Sequence, residues 1–173
     1  MTFPNTKRLT FGKFSKEDAE LLFQLNGNPD VMKYITLGKL MTLSEVKTKS
    51  IPRILQSYSH GDEYGIFPAR LISTNEYIGW FQFEPDAERE NTAEIGWRLK
   101  KEFWGNGYAT EGAKLLVTLG RQLNTTIVAR AMSENKASIR IMEKAGLKFV
   151  EEFWGDYEPH SGNPDVLYTI EFK

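Results

Sequence analysis

The chain contains no cysteine, which excludes disulfides, thiolate zinc sites and a cysteine nucleophile together. Histidine is nearly as scarce, with His60 and His160 the only two. A histidine-based metal site or a Ser-His-Asp triad would have to use one of them, and no serine lies in a Gly-x-Ser-x-Gly elbow. Charge of a single sign is missing as well: 22 Lys and Arg face 23 Asp and Glu, for a net charge of −1. No global basic field exists to hold a polyanion, so nucleic acid is not expected as a partner. Long apolar runs are absent too. Nothing approaches about 18 consecutive apolar residues, and Met1 to Lys7 lacks the apolar segment of a signal peptide. The expectation is a soluble, cytoplasmic protein without a membrane partner or a metal. No linker, repeat or low-complexity stretch divides the 173 residues, and 40% hydrophobic content is ample for one domain spanning 1–173.

What is present is organised around Glu102-Phe103-Trp104-Gly105-Asn106-Gly107-Tyr108-Ala109-Thr110-Glu111. Gly105 and Gly107 stand between a strand-like run and a helix-like run, where successive backbone N–H groups can converge on an anion. The same glycines have a plainer reading, a tight strand-to-helix turn. Thr110 replaces the third glycine of a Rossmann fingerprint, and no Gly-Lys-Ser/Thr follows as in a Walker loop.

In chain order, 7–14 reads as an opening strand and Ser15, with Asp18 three residues on, as the cap of a first helix. Asn28-Pro29 starts a short helix through Tyr34. Ser44 precedes a longer helical run to about Tyr58, bent or divided at Pro52. Segments 64–72 and 77–83 form a hairpin, with Ile78 and Trp80 expected on one face and Phe81 and Phe83 on the other. Thr92 to Leu99 alternates as a third strand, in which Gly96 marks a bulge or a close approach. A helix follows the glycines, with Ala113, Leu116 and Val117 on its apolar face. Then come a β-branched strand at 125–131, a helix capped by Asn135 and ended at Gly146, and two last strands at 148–154 and 166–172. A mixed sheet with helices on both faces follows from that order.

Four segments, in order, carry a resemblance to the GNAT acetyltransferase superfamily and, within it, to the ribosomal-protein N-terminal acetyltransferases. They are Ala93-Glu94-Ile95-Gly96-Trp97, Trp104 to Glu111, Asn135-Lys136-Ala137-Ser138 and Lys144-Ala145-Gly146-Leu147. The resemblance implies an α/β (α+β) domain with a mixed, mostly antiparallel sheet of about seven strands, splayed at its centre. It implies acetyl-CoA as acyl donor and a primary amine, on a protein N-terminus or a small molecule, as acceptor. Transfer would be direct, in a ternary complex, by a monomer or homodimer. A non-catalytic acyl-CoA-binding or sensing module is the alternative.

The implied coenzyme contacts are Gly96, Trp97, Arg98 and Leu99 on the splayed strand, the loop residues Trp104, Gly105, Asn106, Gly107, Tyr108, Ala109 and Thr110, and Asn135 with Ser138. The family signature begins with Arg or Gln where this chain has Trp104, so the loop backbone and the helix dipole must hold the pyrophosphate. Glu94 is the implied proton acceptor, because attack on a thioester needs a neutral amine. As a bare residue it also fits the polar side of a half-exposed strand. Many relatives use a tyrosine acid at the position of Met142, which leaves Ser138 as the second implied catalytic residue. Lys136 and Arg140 could reach the 3′-phosphate of coenzyme A or be solvated helix charges. The carboxylates Glu84, Asp86, Glu88, Glu90 and Glu94 hint at a cationic acceptor or belong to a plain solvated loop. The acceptor pocket is expected from the N-terminal helices, the loop near His60 to Glu63 and the segment 154–164.

Overall fold

Seven strands and six α-helices are found among residues 3–155 and 162–172, which the computed structural model describes. The strands are β1 (Leu9–Phe11), β2 (Gly65–Leu71), β3 (Tyr77–Pro85), β4 (Thr92–Leu99), β5 (Thr126–Met132), β6 (Lys148–Phe153) and β7 (Asp165–Ile170). They form one sheet in the order β1-β2-β3-β4-β5-β7-β6. Every neighbouring pair is antiparallel except β4 with β5.

Strand alternation sends side chains into two cores, one on each face of the sheet. On one face, α1 (Ala19–Asn26) and α4 (Ile51–Ser57) bury Leu22, Leu25, Ile51 and Ile54 against Ile66, Tyr77 and Trp80. On the other, α5 (Tyr108–Leu123) and α6 (Lys136–Ala145) pack Ala113, Leu116 and Met142 with Phe81, Phe83 and Ile95. Ile78 joins this second core rather than sharing a face with Trp80. The register explains the reversal, since Ala69 pairs with Gly79 but Arg70 pairs with Tyr77. Ile78 is therefore an extra residue, and such a bulge flips the alternation beyond it.

The N-terminal helices follow their capping chemistry. Ser15 N–H donates to Asp18 Oδ2 at 2.7 Å ahead of α1. The Asn28 side chain accepts from the Asp30 and Val31 N–H groups at the start of α2 (Pro29–Met32), which stops short of Tyr34. The next helical run is capped two residues before the expected position: Thr42 and Glu45 form a reciprocal capping box for α3 (Leu43–Glu45), and Ser44 lies inside the helix. A π-helical turn at Val46–Ser50 then joins α3 to α4. Pro52, the second residue of α4, has no N–H to give, and the widened turn absorbs the missing bond.

The feature that positions the site is the parting of β4 from β5. Only Thr92, Ala93 and Glu94 pair with β5, against Thr126, Ile127 and Val128. Residues 95–99 stay in unbroken register with β3 but have no strand on their other side. Gly96 therefore marks no bulge against β3. It pairs with Gln82, and a Cβ there would meet Gln82 only at an ordinary 3.6 Å.

Candidate functional site

α5 begins without a side-chain cap. Its N-cap is Gly107 at φ 79°, and Gly105 has φ 78°, both left-handed. The paired left-handed turns leave the N–H groups of Gly105, Asn106, Gly107, Tyr108, Ala109 and Thr110 without a hydrogen-bond partner among the described residues. α6 contrasts with it, because the Asn135 side chain accepts from the Ser138 N–H at 3.2 Å. Six consecutive donors without a partner at the positive end of a 16-residue helix are the groups an anionic ligand would need. The Asn106 side chain turns away from it, donating to the carbonyls of Phe103 and Trp104. A side chain at Gly107 would strain the left-handed turn, at about 1–2 kcal/mol for an ordinary residue and more for a β-branched one. Gly107→Val is expected to weaken acetyl-CoA binding about tenfold or more, read by calorimetric titration.

Trp104, which departs from the expected pattern, has a structural task. Its indole N–H donates to the Leu99 carbonyl at 2.8 Å. The loop is thereby pinned to the end of β4, which sets the distance between the anion site and the open strand edge.

That open edge has a readable polarity. The Asp86 N–H donates to Thr92 O and the Lys100 N–H donates to Ile78 O, so even-numbered residues of β4 face β3. Odd-numbered residues face the other way, as the bond from Thr126 N to Asn91 O shows. The N–H and C=O groups of Ile95 and Trp97 consequently point into the gap between β4 and β5, where an extended ligand can pair as an extra strand. Gly96 and Arg98 have their backbone groups committed to β3. The Leu99 carbonyl is already taken by Trp104.

Arg98 differs most from expectation. Its guanidinium lies under α1 and α2, bonded to Asn26 Oδ1 and 5.0 Å from the centre of the Trp80 ring. Burial pushes its pKa down to about 10. It faces the N-terminal helices rather than the gap, and is a structural cation of that core.

Glu94 is the last β4 residue paired with β5, at the apex of the opening. Its carboxylate lies 3.2 Å from Arg130 Nη1, and Arg130 Nη2 lies 2.7 Å from Asp86 Oδ2. The Asp86 side chain is 1% exposed and that of Glu94 33%. Burial raises the pKa of Glu94, and the neighbouring charges of Asp86 and Glu84 add to the rise while Arg130 opposes it. Asp86 goes the other way: burial raises it, but Arg130, the Glu88 N–H and Arg89 outweigh that and hold it below the usual carboxylate range. The pKa values of two nearby carboxylates are thus shifted in opposite directions. A cleft of about 320 Å³ opens beside them, lined by Asp86, Glu88, Glu94, Arg130, Phe153 and Asp165. Of the residues proposed to form an acceptor pocket, 156–161 lie outside the described residues.

Arg130 was not singled out from the sequence. The available signal was a lone cation in Ile127-Val128-Ala129-Arg130-Ala131, since a charge within a buried strand needs a partner. On α6, Ser138 is half-buried and its hydroxyl has no hydrogen-bond partner among the described residues. Met142 is 2% exposed and part of the core. Lys136 and Arg140 are exposed.

Known proteins are similar to this chain in sequence and fold. A family model described as Acetyltransferase (GNAT) domain matches residues 8–148. An uncharacterized N-acetyltransferase, p20, of Bacillus licheniformis is 31% identical over 168 residues, covering 95% of this chain and 92% of that protein. The FsC-acetyl coenzyme A-N(2)-transacetylase of Aspergillus fumigatus is 28% identical, over 96% of this chain and 74% of that protein. Among solved structures, a GNAT-family acetyltransferase from Bacillus anthracis superposes with a TM-score of 0.81 at 28% identity, over 99% of this chain and 98% of that one. The RimL ribosomal L7/L12 alpha-N-protein acetyltransferase in complex with coenzyme A also gives 0.81, at 17% identity over 99% and 98% of the two chains, a likeness of fold alone.

Proposed function

Because the chain belongs to the GNAT acetyltransferase family and is an acyltransferase, we propose that it transfers acetyl from acetyl-CoA directly to a primary amine, with both substrates bound together. The observation that carries this reading is the geometry joining the free amides of 105–110 to the open edge of β4. A pyrophosphate on the loop places the pantetheine arm along Ile95 and Trp97, and its thioester then arrives beside Glu94.

In this reading the amine nitrogen attacks the thioester carbon, and the Trp97 N–H, which faces the gap, stabilises the developing oxyanion. Glu94 accepts the amine's proton, directly or through water, as the nitrogen becomes neutral. The tetrahedral adduct collapses with cleavage of the C–S bond, and the departing thiolate takes a proton. Ser138 is the residue assigned to that step, because Met142 is buried and carries no acid. The acceptor is a protein N-terminus or a small-molecule amine, entering over the cleft beside Asp86 and Glu94. The chain acts as a cytoplasmic monomer or homodimer.

The test is release of free coenzyme A thiol from acetyl-CoA across a panel of peptide N-termini, polyamines and aminoglycosides. Amine-dependent thiol release from at least one class is expected; silence across the panel while acetyl-CoA binds would favour a non-catalytic binding module.

Arg130 gives a further expectation. Its charge holds down a Glu94 pKa that burial and the carboxylates of Glu84 and Asp86 push up. Arg130→Met removes the opposing influence, so Glu94 protonates at higher pH. The acid limb of kcat/KM for the amine should therefore shift upward, with Arg130→Lys in between.

A further inference from the structure

The loop site contains an apparent contradiction. Glu111 sits in the first turn of α5, four positions after the N-cap, where a carboxylate suits the helix dipole but repels an anionic ligand. The loop itself, from Trp104 to Thr110, carries no cation to offset it. The compensation comes from across the fold, from the residue just before β1.

Arg8 Nε donates to Glu111 Oε2 at 2.6 Å, and the Arg8 backbone N–H donates to Glu111 Oε1 at 2.9 Å. Thr6 Oγ1 donates to that same Oε1 at 2.6 Å. Both carboxylate oxygens are thus occupied. Arg8 Nη1 donates to the Asn106 carbonyl at 3.0 Å, and its guanidinium carbon lies 4.4 Å from the centre of the Tyr108 ring. Holding that carbonyl fixes the peptide between the two left-handed glycines, so that the negative end of its dipole points at Arg8. Arg8 Nη2 approaches within 3.5 Å of the place where a Cβ on Gly107 would stand.

We propose that Arg8 is a coenzyme-positioning residue: it supplies from the N-terminal segment the cation that the loop lacks, neutralising Glu111 and fixing Asn106 so that the loop accepts the pyrophosphate of acetyl-CoA. This rests on the acetyl-CoA reading above. The direction of the Glu111 pKa agrees with it, since burial raises that pKa but Thr6 and Arg8 outweigh the effect and hold it low.

The experiment compares Arg8→Gln, Glu111→Gln and the double variant, using acetyl-CoA and S-acetylpantetheine, which lacks the pyrophosphate, as donors. Arg8→Gln should raise KM and Kd for acetyl-CoA about tenfold or more, with kcat and the amine KM within about twofold. S-acetylpantetheine kinetics should not change. Adding Glu111→Gln should recover most of the lost acetyl-CoA affinity, because the uncompensated carboxylate is then gone. Should Arg8→Gln not fold, Arg8→Lys, which keeps the charge but not the two-armed contact, should show a smaller loss in the same direction. Unchanged acetyl-CoA affinity in a folded Arg8 variant, an equal loss with S-acetylpantetheine, or no recovery in the double variant overturns the proposal. Failure of the wild-type chain to bind acetyl-CoA at all overturns the parent reading instead.

Discussion

Replacing Glu94 with Gln lowers kcat for amine acetylation by about 10²- to 10³-fold and leaves acetyl-CoA affinity within about twofold. The substitution keeps the shape of the side chain and an oxygen that can accept from Arg130 Nη1, now 3.2 Å from Glu94. What it removes is the ability to take a proton. In the proposed reading the coenzyme contacts lie elsewhere, on the loop amides and on the edge of β4, so binding and turnover should separate. The fold should hold, because Arg130 retains Asp86 at 2.7 Å. In the wild-type enzyme the acid limb of kcat/KM should lie above the usual carboxylate range, since burial raises the Glu94 pKa. The sign follows from the role: a base works only when ionised, so activity falls as pH drops through the raised value. In Glu94→Gln that limb should vanish with the lost rate. A fall in acetyl-CoA affinity equal to the fall in kcat would instead make Glu94 a structural residue of the cleft.

Gly79→Ala is expected to destabilise the fold by about 3 kcal/mol, lowering Tm by roughly 6–12 °C in a thermal melt. Gly79 has φ 143°, and a Cβ built on it would stand 2.1 Å from the Arg98 carbonyl oxygen and 2.7 Å from the Leu99 Cα. Both obstacles are backbone of β4, so no rotamer change relieves them. Either β3 withdraws from β4 or the bulge at Ile78 and Gly79 rearranges. Each disturbs the strand whose free edge forms one wall of the gap between β4 and β5. The variant should consequently lose acetyl-CoA stabilisation as well as intrinsic stability, and a variant melting like wild type would refute the steric argument.

Most of the frame was legible because it is written locally. Alternation in Thr92 to Leu99 and the stripe of Ala113, Leu116 and Val117 gave β4 and α5, and Asn28, Asn135 and Gly146 marked helix ends by their capping chemistry. The Thr42 box was legible but missed: Thr42 has Glu45 three residues on, as a capping box requires, whereas Ser44 has Lys47 there, and the Glu45 N–H bonds to Thr42 Oγ1. The face of Ile78 was not legible, because a bulge is a property of two strands in register. The unpaired amides of the loop were visible as far as backbone conformation depends on glycine. Which β4 backbone groups face the gap depended on pairing with β3, and that parity selected Ile95 and Trp97 over Gly96 and Arg98. Arg8 and Arg130 act over 103 and 36 residues of sequence, on Glu111 and Glu94 respectively, and no local pattern announces such partners.

Direct transfer is the centre of this account, and initial-velocity kinetics tests it most directly. With an acceptor from the amine panel, reciprocal plots at several fixed acetyl-CoA concentrations should intersect, as both substrates must be bound before the acetyl group moves. Parallel lines, accompanied by an acetylated protein when acetyl-CoA is mixed with the chain alone, would contradict it.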